Sequence, residues 1–523
     1  MIQQLRGDFF GGITAGVIAL PLALAFGVSS GAGAIAGVYG AIVVGFLAAL
    51  FGGTKTQISG PTGPMTVVAA STIALFPHNF QMVVLIFMLA GIFQITLGVM
   101  RVGKFVQYIP YPVISGFMSG IGIIIILLQI NPLFGSTFTG TTLAIIANLH
   151  LPFTTIHLPS LLLGIGTLLI LFFTPKPITR IIPPTLIALF GMTTIAKLGA
   201  FDIETIGTIP SGLPQIHLPD FEFEKLNVIV PYAFTLAVLG SIDSLLTSLV
   251  ADSLTKQKHD SNRELIGQGL GNMFSGLIGG LPGAGATMRT VVNIKSGGTT
   301  RLSGVIHSLF LLGAIMGAGE HVGNIPLPVL AGILIKVGVD ILDYRLLTKI
   351  HKAPKYDLYV MISVLILTVF IDLIVAVGVG IVLSSLLLIH RITRKIEVKI
   401  KDMETASDYY AVDAHQSIRI ITIEGPFFFG SISEIINRTL PHFDTQVLIF
   451  DCSKVPFMDV SAIFTLEEML LDLRKKEIEV LIITHSKEMY DRLVKMDIPK
   501  IIGEKHLFVD AGKAFAKARL LVT

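Results

Sequence analysis

Gly45 to Gly53 reads GFLAALFGG, and Asn272 to Gly280 reads NMFSGLIGG. Shortly after each comes a Gly-x-Thr followed by Thr-Val-Val: Gly60, Thr62 and Thr66 to Val68 in the first copy, Gly285, Thr287 and Thr290 to Val292 in the second. Each copy precedes an apolar run too short to cross a bilayer, Met65 to Phe76 and Ala286 to Ile294, since a spanning helix needs about 20 residues. Runs of this kind read as half-helices inside a bundle, because irregular backbone is tolerated at membrane depth only where protein or a water-filled cavity covers it. The matched placement marks an internal duplication.

Working outward, the first copy contains apolar segments at Phe10 to Val28, Ile35 to Phe51, Met65 to Phe76, Met82 to Met100, Val113 to Ile130, Leu161 to Phe173 and Ile181 to Ala196. The second contains Val228 to Val250, Ile266 to Leu281, Ala286 to Ile294, Leu302 to Met316, Leu327 to Val339, Leu358 to Ile371 and Leu373 to Leu388. Seven segments is an odd number, so the copies insert with opposite topology, the arrangement in which broken helices meet near the midplane around a substrate. The whole composition agrees: 523 residues, 52% hydrophobic, 14% charged and a mean hydropathy of +0.78 place most of the chain in lipid. The first segment follows Arg6 and Asp8, is too long for a signal-peptide core and lacks a small-residue cleavage site, so it reads as a retained span. Placing the N-terminus inside gathers Arg6, Lys55, Arg101, Lys104, Lys256, Arg263, Lys295, Arg301, Lys352 and Arg391 on the cytoplasmic side. The other side receives Ile209 to Pro219 and Glu320 with His321, and both termini are cytoplasmic.

Several function classes are excluded. A net charge of +3 gives no footprint for nucleic acid, and a single cysteine, Cys452, permits neither a disulfide framework nor a thiolate metal cluster. No histidine cluster, nucleophile elbow or phosphate-loop lysine stands out, so the chain does not read as an enzyme and calls for no cofactor. After Leu388 the text changes to HRITRKIEVKIKD, His390 to Asp402. Beyond it, strands at Ile418 to Ile423, Val447 to Phe450 and Val480 to Thr484 alternate with helices at Ile432 to Leu440, Ala462 to Lys475 and Lys487 to Met496. That alternation implies a small α/β domain with a partly parallel sheet. The division expected is a membrane domain over residues 1–392, with repeats over about 8–198 and 228–390, a linker over 393–414 and a soluble domain over 415–523.

Gly60 to Pro64 and Gly283 to Thr287 are interrupted turns opening the half-helices, so free N–H groups and positive dipole ends face a shared cavity suited to an anion. Thr62 and Thr287 add hydroxyls that donate to an oxyanion or ligate a cation. The alternative is that these small residues only permit close helix packing. Asp243 lies within Val228 to Val250, where a carboxylate costs about 2.5 to 3.5 kcal/mol at the bilayer centre. Thr247, one turn on, shares its face, and together they suit Na⁺ or a coupling proton. Arg289 on the second half-helix is the candidate ion-pair partner of Asp243, or an attractor of the anion. Lys336 and Asp340 read as a structural i, i+4 pair, and Asp372 as an exposed turn residue.

Three stretches, SGPTGPMT at Ser59 to Thr66, GSIDSLLTSLVAD at Gly240 to Asp252 and PGAGATMRTVVNIKSGG at Pro282 to Gly298, closely resemble the SulP family of anion transporters. With ELIGQGLGNMFSGL at Glu264 to Leu277, the chain looks most like the family's cyanobacterial sodium-dependent bicarbonate transporters. The resemblance covers nearly the whole length. It implies an α-helical polytopic membrane protein with a fourteen-helix, seven-plus-seven inverted repeat of the uracil-permease-like kind, in which a core domain moves against a gate domain. By motif, Thr62, Gly63, Ala286 and Thr287 fall at the anion site, and Asp243, Thr247, Gly285 and Thr287 at the sodium site. Arg289 departs from the pattern: those bicarbonate transporters have a small residue there, whereas many sulfate permeases and animal exchangers have arginine.

DCSKVPFMDVSA, Asp451 to Ala462, resembles the strand-to-helix segment of a STAS domain. The resemblance makes Ser461 a regulatory phosphorylation candidate, although its position equally suits an ordinary helix N-cap. It also implies a homodimer and a regulatory partner for this domain. Four functions stay open at this point: sodium-dependent bicarbonate uptake by alternating access, a sulfate or other oxyanion permease, an anion sensor that signals through the STAS domain, and an uncoupled channel.

Overall fold

The computed structural model describes residues 2–77, 79–136, 142–154, 156–179, 182–207, 214–220, 223–371, 373–393, 397–402, 418–429, 431, 435 and 445–522. Contacts divide the chain into two compact units, Met1–Val382 and Leu383–Thr523. Among the described residues up to 393, fourteen helices of nine residues or more take up the fourteen expected segments one for one. In the first repeat they are α1 (Ile2–Ser30), α2 (Ala34–Phe51), α3 (Gly63–Leu75), α4 (Phe80–Val99), α5 (Tyr111–Phe134), α6 (Leu158–Phe173) and α7 (Pro184–Leu198). In the second they are α8 (Leu226–Thr255), α9 (Ser261–Leu277), α10 (Thr287–Lys295), α11 (Arg301–Gly323), α12 (Leu327–Ile341), α13 (Lys355–Phe370) and α14 (Leu373–Thr393). Six of these, α1, α2, α4, α5, α8 and α14, are long and apolar enough to cross a membrane. Helix α1 starts well before Phe10, and its Asp8 carboxylate is satisfied: it accepts from Thr299 N at 2.7 Å and Thr300 N at 2.9 Å, the two residues ahead of α11.

The inverted repeat is written in the packing. Contacts come in pairs that interchange when each helix is replaced by its counterpart seven along: α4 on α9 matches α11 on α2, α1 on α11 matches α8 on α4, and α1 on α10 matches α8 on α3. Helices α1–α4 and α8–α11 form one such group. A second is built on α5 and α12, with α5 on α13 matched by α12 on α6.

At the centre of the first group, residues ahead of each half-helix form a feature absent from the sequence reading. Strands β1 (Ser59–Gly60) and β2 (Ala284–Gly285) pair antiparallel, Ser59 opposite Gly285 and Gly60 opposite Ala284. Two glycines make the approach feasible. Gly60 sits at φ +154, and a Cβ on Gly283 would lie 2.4 Å from the Gly60 carbonyl carbon and oxygen.

In the second unit, five strands run in the order β3 (Glu397–Asp402), β4 (Ile418–Glu424), β5 (Val447–Lys454), β6 (Glu479–Ile483), β7 (Leu507–Phe508). Only β3 is antiparallel to its neighbour. Strand β3 lies inside the stretch read as a linker; Val398 and Ile400 alternate along it and pack on the domain core. The sheet buries both faces. Ile421, Leu448, Phe450 and Ile482 meet α15 (Val460–Lys475) and α16 (Lys487–Lys495), whereas Ile418, Ile420, Ile449 and Leu481 meet Ala514 and Ala518 of α17 (Ala511–Val522). The helix read over Ile432 to Leu440 lies, apart from Ile435, outside the described residues, as do Asp372, residues 403–414 and residues 209–213 of the loop ahead of α8.

Cys452 is buried in β5, and burial together with the neighbouring Asp451 charge pushes its thiol up to about 12. At pH 8 only about one molecule in 10⁴ carries the reactive thiolate. Native protein is expected to resist iodoacetamide at pH 8 and to take up one label per chain in denaturant, read by mass spectrometry.

Candidate anion and cation site

The β1–β2 pair brings the starts of α3 and α10 together, and Ala286 N donates to Ile58 O at 2.8 Å to extend the pairing. Intrahelical bonding begins with Thr66 N to Thr62 O and Thr290 N to Ala286 O, each 2.9 Å. The amides ahead of these bonds lie at the positive ends of the two half-helices. Thr62 precedes α3 in an extended conformation, and its buried hydroxyl faces the Asp243 carboxylate without closing to full hydrogen-bond geometry. Gly63 opens α3, where a Cβ would meet Ile125 Cδ1 at 2.7 Å and Ile341 Cδ1 at 2.9 Å, so α5 and α12 wall the site.

Helix α8 supplies the other side. Ser244 Oγ accepts from Gly285 N at 3.0 Å, and Thr247 Oγ1 donates to Gly285 O at 2.9 Å. The Thr247 and Thr287 hydroxyls lie 2.7 Å apart; because Thr247 spends its proton on Gly285 O, Thr287 is the donor between them. Asp243, one turn before Thr247, is buried, and its Oδ2 has no hydrogen-bond partner. It borders a cleft of about 10 Å³ between α8 and α5, room for about one water-sized particle. Asp243, Thr247, Gly285 and Thr287 are thus gathered along one side of α8, and their oxygens are the hard donors that an alkali cation takes.

Arg289 does not pair with Asp243 as the sequence suggested. It influences that carboxylate electrostatically, but its Nη2 donates to Pro61 O at 2.7 Å, while Nε and Nη1 have no hydrogen-bond partner. The side chain crosses toward Gly60, where a Cβ would lie 2.9 Å from Nη1, and so ties α10 to the turn ahead of α3. Lys336 and Asp340 form the expected i, i+4 ion pair, with Lys336 Nζ 5.2 Å from the Phe172 ring centroid.

Sequence reasoning passed over Glu264 on α9. It is buried to 1% exposure and accepts four N–H bonds, from Gly53, Thr54, Gln57 and Gln268. The reasoning applied to Asp243 could not find it, since Glu264 precedes the apolar run Ile266 to Leu281 and does not sit at its centre. A cavity of about 1170 Å³ lies between the helix groups, bordered by Ser30, Gly135, His157, Tyr232 and Leu327, and it reaches Val67 and Val68 on α3. In the second unit Ser461 is exposed, but Asp459 is the N-cap of α15, accepting from Ala462 N at 2.8 Å. Ser461 is therefore the second helical residue and not the cap.

The model of the sulfate permease family matches residues 5–364, and that of the STAS domain matches residues 409–514. A bicarbonate transporter BicA from Picosynechococcus sp. is 42% identical over 99% of this chain and 95% of its own. A putative sulfate transporter, YvdB, from Bacillus subtilis is 30% identical over 97% of this chain and 96% of its own. The solved transmembrane domain of a cyanobacterium bicarbonate transporter BicA superposes with a TM-score of 0.69 at 49% identity, covering 72% of this chain and 98% of that one. Duplicated helices, facing half-helices and these full-length likenesses agree, and the chain belongs to the sulfate permease family as a multi-pass anion transporter with a C-terminal STAS domain.

Proposed function

We propose that the protein takes up bicarbonate with Na⁺ by alternating access, across a plasma membrane with both termini in the cytoplasm. The anion is carried chiefly by one observation, 42% identity along almost the entire length to a protein named a bicarbonate transporter. Thr62, Gly63, Ala286 and Thr287 offer the anion the free N–H groups of two helix starts, while Asp243, Thr247, Gly285 and Thr287 take the cation through their oxygens. Positive helix ends and a carboxylate side by side attract ions of opposite charge, and each makes the other less costly to bind. On the proposed topology the large cavity opens outward, since the ends of α1 and α5 and the starts of α6, α8 and α12 that border it lie away from the basic loops. A sulfate or other oxyanion permease is the second reading, favoured by Arg289 with two unpartnered nitrogens beside the half-helix start and by the 30% identity to YvdB. The STAS domain serves regulation and homodimer assembly, with Ser461 exposed for modification.

Uptake of radiolabelled bicarbonate and sulfate into proteoliposomes, each with and without a Na⁺ gradient, tests the reading. Bicarbonate uptake is expected to rise at least tenfold with Na⁺ while sulfate stays near background. Sulfate uptake indifferent to Na⁺ selects the second reading.

A further inference from the structure

We propose that Glu264 is a positioning residue for the cation site: by holding the Gly53–Ser59 segment through shared hydrogen bonds, it sets where Gly285 and Thr247 place their oxygens. The inference rests on the sodium reading above. Oε2 of Glu264 accepts from Gly53 N at 2.9 Å and Thr54 N at 2.8 Å; Oε1 accepts from Gln57 Nε2 and Gln268 Nε2, both at 2.8 Å. Gln268 Nε2 also donates to Ser59 Oγ on β1, at 2.6 Å. One carboxylate thus anchors the approach to β1 at three points directly and at Ser59 through Gln268.

The connection to the cation site runs through Gln57. Its Oε1 accepts from Ser248 Oγ at 2.9 Å, a proton that the hydroxyl shares with Ser244 O at the same distance, and Ser248 follows Thr247 directly on α8. Ser248 Oγ also lies 2.7 Å from Thr54 Oγ1, closing a ring of Thr54, Gln57, Glu264 and Ser248. On its other side Gln57 lies directly beneath Gly285: a Cβ there would fall 2.2 Å from Nε2. The same amide therefore braces both partners of the Thr247 to Gly285 bond. Glutamine at 264 would set its own NH₂ against the donors it must satisfy, and Gln57 would turn away to find an acceptor. Gly285 and α8 would then lose their common support. Glu264 touches no transported ion in this scheme, and packing alone would lower the amount of folded transporter without separating one substrate from the other.

The test measures half-saturation for Na⁺ and for the anion separately, in purified full-length protein in proteoliposomes, for wild type, Glu264→Gln and the swap Gln57→Glu/Glu264→Gln. The single variant is expected to raise the Na⁺ half-saturation about tenfold with the anion value within about twofold. The swap, which restores a carboxylate facing an amide, is expected to return within about threefold of wild type. Equal shifts in both half-saturations, no shift in either, or a swap no better than the single variant would overturn the proposal. Should Glu264→Gln not reach the membrane folded, Ser248→Ala decides instead, with an expected rise of about threefold for Na⁺ alone; an unchanged value overturns the proposal. Failure of the sodium reading is told apart because it appears already in the wild type, as uptake indifferent to Na⁺.

Discussion

Asp243→Asn is expected to remove Na⁺-stimulated uptake, with stimulation falling roughly 100-fold or more while the protein remains folded in the membrane. Asparagine keeps the shape and removes the charge. The carboxylate is buried on α8, its Oδ2 makes no full hydrogen bond although the Thr62 hydroxyl faces it, and Arg289 donates to Pro61 O without forming a salt bridge with it. A buried charge left without its partner costs about 3–5 kcal/mol, and every 1.4 kcal/mol is a factor of about ten in binding. A cation beside Thr247 and Thr287 relieves that cost in the native protein, and the variant offers it no such gain. Uptake at several Na⁺ concentrations, alongside size-exclusion profiles in detergent, measures the effect. Undiminished Na⁺ dependence in well-folded variant protein would make Asp243 a structural residue.

Gly283→Ala is expected to be nearly as damaging, by a different route. The added methyl would meet the Gly60 carbonyl at 2.4 Å, and both contacts are backbone, so no flexible side chain can move aside. Gly283 is further fixed by Asn272, whose Oδ1 accepts from Gly283 N at 2.7 Å and whose Nδ2 donates to Gly283 O at 3.0 Å. Strands β1 and β2 must part to admit the methyl, and the two half-helix starts separate with them. Overpacking of this kind costs about 1–3 kcal/mol. Anion binding, measured by titration calorimetry on purified protein, should weaken at least tenfold, with a lower melting temperature. Binding within twofold of wild type would mean that the half-helices need no such close approach.

The spans were legible because length and apolarity are local properties, and the two half-helices because they were short at matched places in the repeats. What escaped was long-range. Strands of two residues carry no alternation to read, and Gln57 meets Glu264 across 207 residues of sequence. Arg289 illustrates the limit most clearly. Residue type placed a buried cation near Asp243, but only the positive-φ backbone at Gly60 and the carbonyl of Pro61 explain why it points to the other repeat's lead-in. Ser461 was misplaced by a smaller error: the helix begins ahead of it, at Val460, so Asp459 holds the cap position and accepts from Ala462 N.

The bond from Asp8 to the start of α11 joins residues 291 apart. During synthesis at about 5–20 residues per second, the ribosome needs roughly 15 to 60 s to make the intervening chain. Through that interval the newborn first helix holds an uncapped carboxylate, and Ser59 and Gly60 await the strand that completes them. The first repeat therefore waits for these two partners until the second repeat emerges.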